Sequence, residues 1–353
     1  MTIDLDSPML YQQPEASGML THLHAFPEQC QRAWDKALRL EIPPEYSRID
    51  KVVLLGMGGS AIGSEIVRGL ALRETSVPIW VHRDYGLPSF VDEKTLVITV
   101  SYSGDTEETL SGFDSALKAR AKKLALTSGG RLKRLAEDAG IPLFLIDYRA
   151  PPRASFPYLF VPLIVILQKT GLLKDKTKEF EQGLEALKKA AGGFVEATPL
   201  AANLAKQLAV KAAGRILVIY GAAEIISAIA RRWKTQFNEN SKTWAFAEAF
   251  PELDHNAVEG YKFPADVASK VLVFLLHSAY LPERSQLRYQ ATAQLLAKAG
   301  IAHELVEAVG EVPLARILRL VLLGDYLSFY LALLNGADPS SMKSIDFIKK
   351  YLT

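Results

Sequence analysis

Hydroxyl side chains and glycines are clustered in two short stretches of the chain, "GMGGSAIG" at 56–63 and "SYSGDTEET" at 101–109. Each stretch follows an apolar run and precedes a helical pattern, so each is predicted to be a loop at the start of a helix. Hydroxyls and free backbone N–H groups at a helix N-terminus bind anions, because the helix dipole favours negative charge there. The sequence therefore predicts a phosphate site formed by Gly58, Gly59, Ser60, Ser101, Ser103 and Thr106.

The second stretch also fits a simpler interpretation as an ordinary helix cap. A serine or aspartate would then cap the helix, with Glu107 and Glu108 in its first turn. The pairing of the two stretches favours the phosphate site, because loops at the carboxyl ends of parallel strands face the same crevice. Two hydroxyl-rich helix starts at one crevice suit a phosphate monoester.

The first stretch also matches a nucleotide-binding pattern. Gly56, Gly58 and Ala61 satisfy the dinucleotide fingerprint G-x-G-x-x-G/A. Asp84 lies near the position of the acidic residue that contacts ribose in such sites. However, Asp84 follows Arg83 and precedes a turn, and a ribose site leaves the hydroxyls of the second stretch unexplained. The P-loop motif G-x-x-x-x-G-K-[ST] does not occur in the chain.

The two loops belong to an alternation of strands and helices. Helices are expected at 20–40, 60–72, 105–121, 131–139 and 157–172, and strands at 52–55, 77–81, 96–100, 123–127 and 143–146. Continuous apolar strands that alternate with helices predict a parallel sheet covered on both faces. The second half repeats this pattern, with strands expected at 270–276 and 301–306 and helices at 285–299 and 313–334.

An internal duplication of an α/β unit is therefore predicted. "RILVIYGAAEIISAIARRWKTQ" from Arg215 aligns with "KVVLLGMGGSAIGSEIVRGLAL" from Lys51. In this alignment Gly58, Gly59 and Ser60 stand opposite Ala222, Ala223 and Glu224. We therefore expect only the first loop to let a ligand approach the backbone.

Length and composition restrict the class of protein. The chain has 353 residues, enough for two domains, and no Lys/Arg block that could neutralise a row of nucleic-acid phosphates. A single cysteine, Cys30, and the lack of Cys/His metal-ligand spacings indicate neither a disulfide scaffold nor a zinc module, which fits the cytoplasm. No signal peptide is expected at the N-terminus. The apolar stretches at 156–173 and 318–334 contain Lys169 and Asp325, so they are predicted to be buried helices and not membrane spans.

Further motifs extend the pattern to most of the chain. In order, "GMGGSAIGSEI", "RDYGLP", "SYSGDTEET", "PPRASFPYLF" and "FNENSKTWAFAEAFPELDHNAVEG" resemble the motifs of the bifunctional phosphoglucose/phosphomannose isomerases. The resemblance includes "SGMLTHLHAFPEQCQRAW" near the N-terminus and "DPSSMKSIDFIKKYL" near the C-terminus. It implies an α/β fold of two sugar isomerase (SIS) domains, each an α-β-α sandwich with a mainly parallel sheet.

The same resemblance implies an activity. The family interconverts glucose 6-phosphate and mannose 6-phosphate with fructose 6-phosphate, uses no cofactor or metal, and works as a homodimer. We expect a helical segment at 1–40 that packs on the domains, a first SIS domain at 41–180 with the phosphate loops, and a second at 195–353 with the catalytic base and the C-terminal helices.

Residues that match the family's catalytic positions are Glu239, His255, Arg153 and Lys349. Isomerisation moves a proton between C1 and C2 through a cis-enediol(ate), and one carboxylate, here Glu239, can serve both steps. Histidine titrates near neutrality and suits opening of the sugar ring, and the resemblance implies that His255 comes from the partner subunit. Arg153 would offset charge on the enediolate oxygen. Each residue also has a structural alternative, such as a solvated side chain at a helix end, and that alternative is strongest for Lys349.

One residue departs from the family's pattern, and two other functions are alternatives. The family's loop usually reads "SGNTEET", whereas this chain has Asp105, which we expect to point away from a bound phosphate. The chain could instead be a phosphosugar-sensing SIS protein without catalysis, for which a fused basic DNA-binding domain would be expected, and the sequence gives no signal of one. An amino-sugar phosphate isomerase would normally work beside an ammonia-generating domain, for which the sequence gives no signal.

Overall fold

The computed structural model describes residues 3–352. These residues form two compact units, of which one contains Phe26–Leu184. The other contains the described residues before Phe26 and after Leu184. We call them the N-terminal unit and the C-terminal unit.

The N-terminal unit contains one parallel five-stranded sheet. Its strands are β1 (Lys51–Leu55), β2 (Ile79–His82), β3 (Thr95–Val100), β4 (Lys122–Thr127) and β5 (Leu143–Leu145). They pair in the order β2-β1-β3-β4-β5. The central strand β3 is buried along its whole length, which explains its lack of polar alternation.

The C-terminal unit contains a second parallel sheet. Its strands are β6 (Ile216–Ala222), β7 (Ala245–Phe250), β8 (Val271–His277) and β9 (Ala302–Glu307), in the order β7-β6-β8-β9. The sequence analysis does not predict β7. This strand lies at the sheet edge, and its sequence AFAEAF is rich in alanine, has no β-branched residue and is interrupted by Glu248, so it lacks the Val/Ile/Leu run that marks the buried strands. The predicted α/β class with mainly parallel sheets is confirmed.

Helices alternate with these strands. They are α1 (Pro14–His24), α2 (Phe26–Leu38), α3 (Gly58–Ala71), α4 (Glu107–Lys118), α5 (Gly130–Asp138), α6 (Phe156–Lys169), α7 (Thr177–Ala191), α8 (Leu204–Ala212), α9 (Ala223–Gln236), α10 (Glu283–Lys298), α11 (Pro313–Leu334) and α12 (Lys343–Leu352).

The segment expected to form one helix at 20–40 contains two helices, so that prediction is wrong. α1 ends at His24 and α2 begins at Phe26. Pro27 is the second residue of α2, where its missing N–H costs no intrahelical hydrogen bond and its fixed φ suits a first turn. α1 packs on α11 in the C-terminal unit, whereas α2 packs on α6 in the N-terminal unit.

The two sheets repeat one strand order, because β1 lies between β2 and β3 as β6 lies between β7 and β8. The structural repeat is shifted by one residue from the predicted alignment. Gly58 and Ala223 each begin a helix and have positive φ, +48° and +54°. Gly58 therefore corresponds to Ala223 and not to Ala222, since equivalent places in a strand-to-helix turn need the same backbone conformation. The second loop then reads Ala-Glu-Ile where the first reads Gly-Gly-Ser.

α11 is the core helix of the C-terminal unit. Among residues 3–352 it is the one helix long and apolar enough to span a membrane, and 89% of its most apolar window is buried in the structure. Asp325, in the middle of the helix, is buried and pairs with Arg232 of α9. As predicted, α11 is a buried helix of the core, and the structure adds the partner of its charged residue.

α3 and α6 cross in direct backbone contact at Gly63. A Cβ atom at this position would lie 2.4 Å from the carbonyl oxygen of Leu159, a backbone atom that cannot rotate away. Gly18 in α1 is the opposite case, because nothing lies within 4 Å of its Cβ position.

We expect Gly63→Ala to destabilise the protein by about 1–3 kcal/mol, because the added methyl group forces α3 and α6 apart. Gly18→Ala should leave stability unchanged or raise it by up to about 1 kcal/mol through helix propensity. Urea unfolding curves of both variants measure the difference. Equal midpoints would show that the α3–α6 crossing adjusts freely.

Candidate active site

The first predicted loop connects β1 to α3. α3 begins at Gly58, and a Cβ atom at Gly58 would meet nothing within 4 Å, so the backbone is open on that side. Ser60 follows in the first turn and is 7% exposed. Its hydroxyl oxygen accepts a hydrogen bond from the backbone N–H of Tyr102 at 3.3 Å. The two predicted loops are therefore brought together in one unit.

The second loop connects β3 to α4 and is held by its own hydroxyls. Ser101 Oγ is buried, accepts from Gly104 N at 3.1 Å and donates to Thr106 Oγ1 at 3.1 Å. Ser103 Oγ accepts from Asp105 N at 3.2 Å. Thr106 immediately precedes α4, yet its side chain caps no helix N–H. The simple capping interpretation therefore does not describe this threonine.

Three hydroxyl groups in the two loops can donate a hydrogen bond to a ligand. A hydroxyl group has one proton and two lone pairs. Ser60, Ser103 and Thr106 each accept a hydrogen bond from the protein, and in the described chain no residue accepts their protons. These protons can be donated to an anion. This donor set, beside two helix N-termini, can bind a phosphate group.

Asp105 is directed to a neighbouring helix. Its Oδ1 accepts from the backbone N–H of Arg131 at 2.8 Å, in the first turn of α5. The loop before α5 packs against the phosphate loop so closely that a Cβ at Gly104 would lie 1.9 Å from the oxygen of Gly129. Gly104 also has a φ of +75°, which favours glycine. The carboxylate expected to point away from the phosphate thus binds the start of α5.

Arg153 lies in the N-terminal unit beside the first loop. It belongs to a short 3-10 helix, Pro152–Ser155, directly before α6, and it is 3% exposed. A Cβ at Gly59 would lie 3.8 Å from the backbone nitrogen of Arg153. The arginine and the phosphate loop are therefore brought together as backbone neighbours.

Glu239 lies in a π-helical turn, Phe237–Ser241, that continues α9 in the C-terminal unit. Single π-turns of this kind are frequent at functional sites. Asn238 donates to the carbonyl of Thr243 at 2.9 Å, and Asn240 donates to Ser328 Oγ of α11 at 2.9 Å. The asparagines on either side of Glu239 thus hold its backbone, and the glutamate itself is half-buried.

A buried polar cluster supports this turn. The Arg232 guanidinium donates to both oxygens of Asp325, at 2.9 and 2.6 Å, and Gln236 donates to Asp325 Oδ1 at 2.8 Å. Burial raises the pKa of the Asp325 carboxyl, and the guanidinium of Arg232 counteracts this shift. The cluster fixes α9 on α11 one turn before Glu239. The sequence analysis missed it, although an arginine in α9 and an aspartate amid the apolar residues of α11 were visible signals.

Lys349 lies on α12, which contains no buried residue. The segment before α12 is nevertheless close to Glu239, because Lys242 Nζ donates to the carbonyls of both Glu239 and Ser341. The apolar side of α12 is exposed at Phe347 and other residues. The catalytic role of Lys349 stays a prediction.

His255 ends a 3-10 turn, Glu252–His255, that follows β7. Leu253 is fully buried, and the Asp254 carboxylate accepts from Arg288 at 2.6 Å, so the turn is firmly held. The His255 side chain is exposed, and its imidazole has no hydrogen-bond partner within 3–352. This exposed position agrees with a residue that acts on a neighbouring subunit.

Asp84 and Arg83, which the nucleotide interpretation concerns, each bind a group of the N-terminal unit. Asp84 is exposed and accepts from the backbone N–H of Tyr85 at 2.8 Å, so it caps its own turn. Arg83 forms an ion pair with the buried Glu65 of α3. Neither contact provides the ribose-binding carboxylate that a dinucleotide site requires.

The fold is that of SIS-domain proteins. A hypothetical protein of Thermus thermophilus superposes with a TM-score of 0.75 at 20% identity, over 99% of this chain and 92% of the other. The family described as "Bacterial phospho-glucose isomerase C-terminal SIS domain" matches residues 201–352.

Sequence similarity defines the family. The bifunctional phosphoglucose/phosphomannose isomerase of Caldicellulosiruptor bescii is 37% identical over 95% of this chain and 98% of its own length. A D-glucosamine-6-phosphate 4-epimerase of Sulfolobus acidocaldarius is 31% identical over 66% of this chain and 71% of its own length. The chain belongs to the family of bifunctional phosphoglucose/phosphomannose isomerases, as the resemblance implied.

Replacing Asp105 by asparagine removes a negative charge from the phosphate loop and keeps an oxygen for Arg131 N. We expect the dissociation constant for fructose 6-phosphate to fall by about threefold at low ionic strength and by less at high salt, because salt screens exposed charges. Isothermal titration calorimetry measures both values.

Asp175→Asn is the matched control. Asp175 is an exposed carboxylate in the same unit that accepts from the backbone N–H of Thr177 at 3.0 Å, at the start of α7. Its replacement should leave the dissociation constant unchanged. Identical affinities of the two variants at low salt would argue against phosphate binding beside Asp105.

Proposed function

We propose that this protein interconverts glucose 6-phosphate and mannose 6-phosphate with fructose 6-phosphate. The observation that carries the proposal is a set of three hydroxyls, Ser60, Ser103 and Thr106, at two adjoining helix starts, whose protons have no acceptor among residues 3–352. Such a site recognises the phosphate common to all three sugars. The family membership supports the isomerase activity, and the Caldicellulosiruptor relative is named an isomerase of both phosphoglucose and phosphomannose.

Glu239 is the proposed base. Its carboxylate takes the proton from C2 of the open-chain aldose, which gives a cis-enediol(ate), and returns a proton to C1, while the hydroxyl proton moves from O2 to O1 to give the ketose. C2 becomes planar in the intermediate, so glucose 6-phosphate and mannose 6-phosphate converge on the same species. One base can therefore serve both activities. The hydrogen bonds of Asn238 and Asn240 support this role because they hold the backbone on either side of Glu239.

Arg153 and the phosphate loops complete the proposed chemistry. Negative charge develops on the enediolate oxygen, and an always-charged guanidinium such as that of Arg153 offsets it. Gly58, Gly59 and the loop hydroxyls would hold the phosphate, with Ser101 orienting Thr106. Lys349 is proposed as a further catalytic group from its match to the family pattern. No step in this scheme requires a cofactor or a metal.

His255 is proposed to open the sugar ring by moving a proton from the C1 hydroxyl to the ring oxygen. We propose that it acts in the site of the partner subunit of a homodimer, because its imidazole is exposed and has no hydrogen-bond partner in the described part of the chain. We further propose that 41–180 and 195–353 act as the two SIS domains, with 1–40 packed on them. A cytoplasmic location is proposed because the single cysteine, Cys30, is buried and free.

A second candidate activity is favoured by the Sulfolobus relative. That protein is named a D-glucosamine-6-phosphate 4-epimerase, which inverts C4 of an amino sugar. The shared phosphate would bind in the same loops, but the reacting carbon differs. Incubation with glucosamine 6-phosphate followed by NMR distinguishes the two activities, and we expect no conversion.

Glu239→Gln should abolish isomerisation and retain binding of fructose 6-phosphate, because the amide is isosteric but accepts no proton. A coupled assay that starts from fructose 6-phosphate and reads both aldose products measures the loss. Glu248→Gln, a change of the same type at an exposed site on β7, should keep full activity. Unaltered turnover of Glu239→Gln contradicts the assignment of the base, and binding without turnover in the wild type contradicts the proposed function.

Mixing two inactive variants tests the origin of His255. A mixed dimer of Glu239→Gln and His255→Asn subunits has one doubly altered site and one intact site if His255 acts across the interface. Random exchange of subunits between equal amounts of the two variants should therefore restore about a quarter of wild-type activity. If His255 acts within its own subunit, every site carries one defect, and the mixture stays inactive after verified subunit exchange.

A further inference from the structure

Tyr102 lies between two of the proposed phosphate-binding serines, and its backbone joins three loops. Its N–H donates to Ser60 Oγ in the first loop at 3.3 Å. Its carbonyl accepts from Ser128 N at 2.9 Å and from Ser128 Oγ at 2.6 Å, in the loop that follows β4. The carboxyl ends of β1, β3 and β4 are therefore connected through the main chain of one residue.

The side chain of Tyr102 reaches a fourth segment. Its phenol oxygen donates to the carbonyl of Tyr148 at 2.5 Å and accepts from the backbone N–H of Ala150 at 2.9 Å. Residues 147–150, which follow β5, have no regular secondary structure, whereas Ile146 N donates to Thr127 O at 2.7 Å and Pro151 O accepts from Ala154 N at 2.8 Å. One phenol group thus makes two hydrogen bonds to this segment, and the second of these is three residues before Arg153.

We propose that Tyr102 is a positioning residue that fixes Arg153 relative to the hydroxyls of the phosphate loops. This inference rests on the proposed role of Arg153 in stabilising the enediolate. Arg153 lies in the 3-10 turn Pro152–Ser155 beside Gly59, and in this proposal its placement depends on the preceding segment, 147–150, to which the phenol bonds. Displacing a charge-stabilising group by about 1 Å can lower the rate by about 100-fold.

The geometry separates binding from catalysis. Tyr102→Phe removes the phenol oxygen and leaves the backbone N–H that bonds to Ser60. The phosphate loops keep their hydrogen bonds, whereas Tyr148 O and Ala150 N lose a partner. We therefore expect kcat to fall by about 10- to 100-fold, with KM and the inhibition constant of inorganic phosphate unchanged within about twofold.

Tyr46 offers a matched control in the same unit. Its phenol oxygen also makes two hydrogen bonds to the main chain of one residue. It donates to Lys123 O at 2.9 Å and accepts from Lys123 N at 3.4 Å. Lys123 lies in the first half of β4, away from the loops at the carboxyl ends. Tyr46→Phe should leave kcat unchanged. Both variants are assayed below their unfolding transitions, so that a loss of folded protein does not enter kcat.

A double-variant cycle with Arg153→Ala decides whether Tyr102 acts through the arginine. We expect Tyr102→Phe to lower kcat in the wild type and to have no further effect in the Arg153→Ala background. Three results would overturn the inference. They are losses in kcat that multiply in the double variant, a fall in kcat for Tyr102→Phe equal to that of Tyr46→Phe, and a rise in KM alone. If Arg153→Ala itself keeps full kcat, the proposed role of Arg153 fails and the inference fails with it. A wild-type protein that does not isomerise the sugar phosphates overturns the proposed function separately.

Discussion

A hydroxyl group has only one proton to donate, and the phosphate loops depend on how that proton is directed. Backbone N–H groups and a neighbouring serine occupy acceptor positions on Ser60, Ser103 and Thr106, so that their protons point to no protein acceptor in the described chain. The same hydrogen bonds hold the loops at the ends of β1 and β3. Rigidity of the loops and readiness to bind an anion therefore have the same origin.

The catalytic base is supported by different chemistry. A buried Arg232–Asp325 pair joins α9 to α11, and Ser328, one turn further along α11, receives the hydrogen bond of Asn240 beside Glu239. Buried ion pairs add little net stability, because desolvation opposes their attraction, but they disfavour wrong registers that would leave a charge unpaired. The phosphate loops use neutral donors at the end of a sheet, whereas the base relies on a buried charge pair between two helices.

Much of this arrangement could be predicted from the sequence, and the misses have physical reasons. The buried strands and the loops at their ends were predictable because apolar runs and glycines are local signals. β7 was missed because its alanine-rich sequence has no β-branched residue and is interrupted by Glu248, and alanine is uncommon in strands. The break at Ala25 was missed because proline in a first turn resembles continuation of a helix. Tyr102 contacts Tyr148 and Ala150, which lie 46 and 48 positions further along the chain. No local sequence pattern indicates contacts over such separations.

Ala223 has a consequence for how binding sites arise in duplicated folds. It adopts the same left-handed conformation as Gly58, although this costs an L-residue about 1–2 kcal/mol. The strand-to-helix connection, and not the ligand, therefore dictates the shape of this turn. The second loop keeps this backbone turn and has Ala-Glu-Ile in place of Gly-Gly-Ser. The C-terminal unit thus contains a ready scaffold on which a second receptor can be built by exchanging a few side chains.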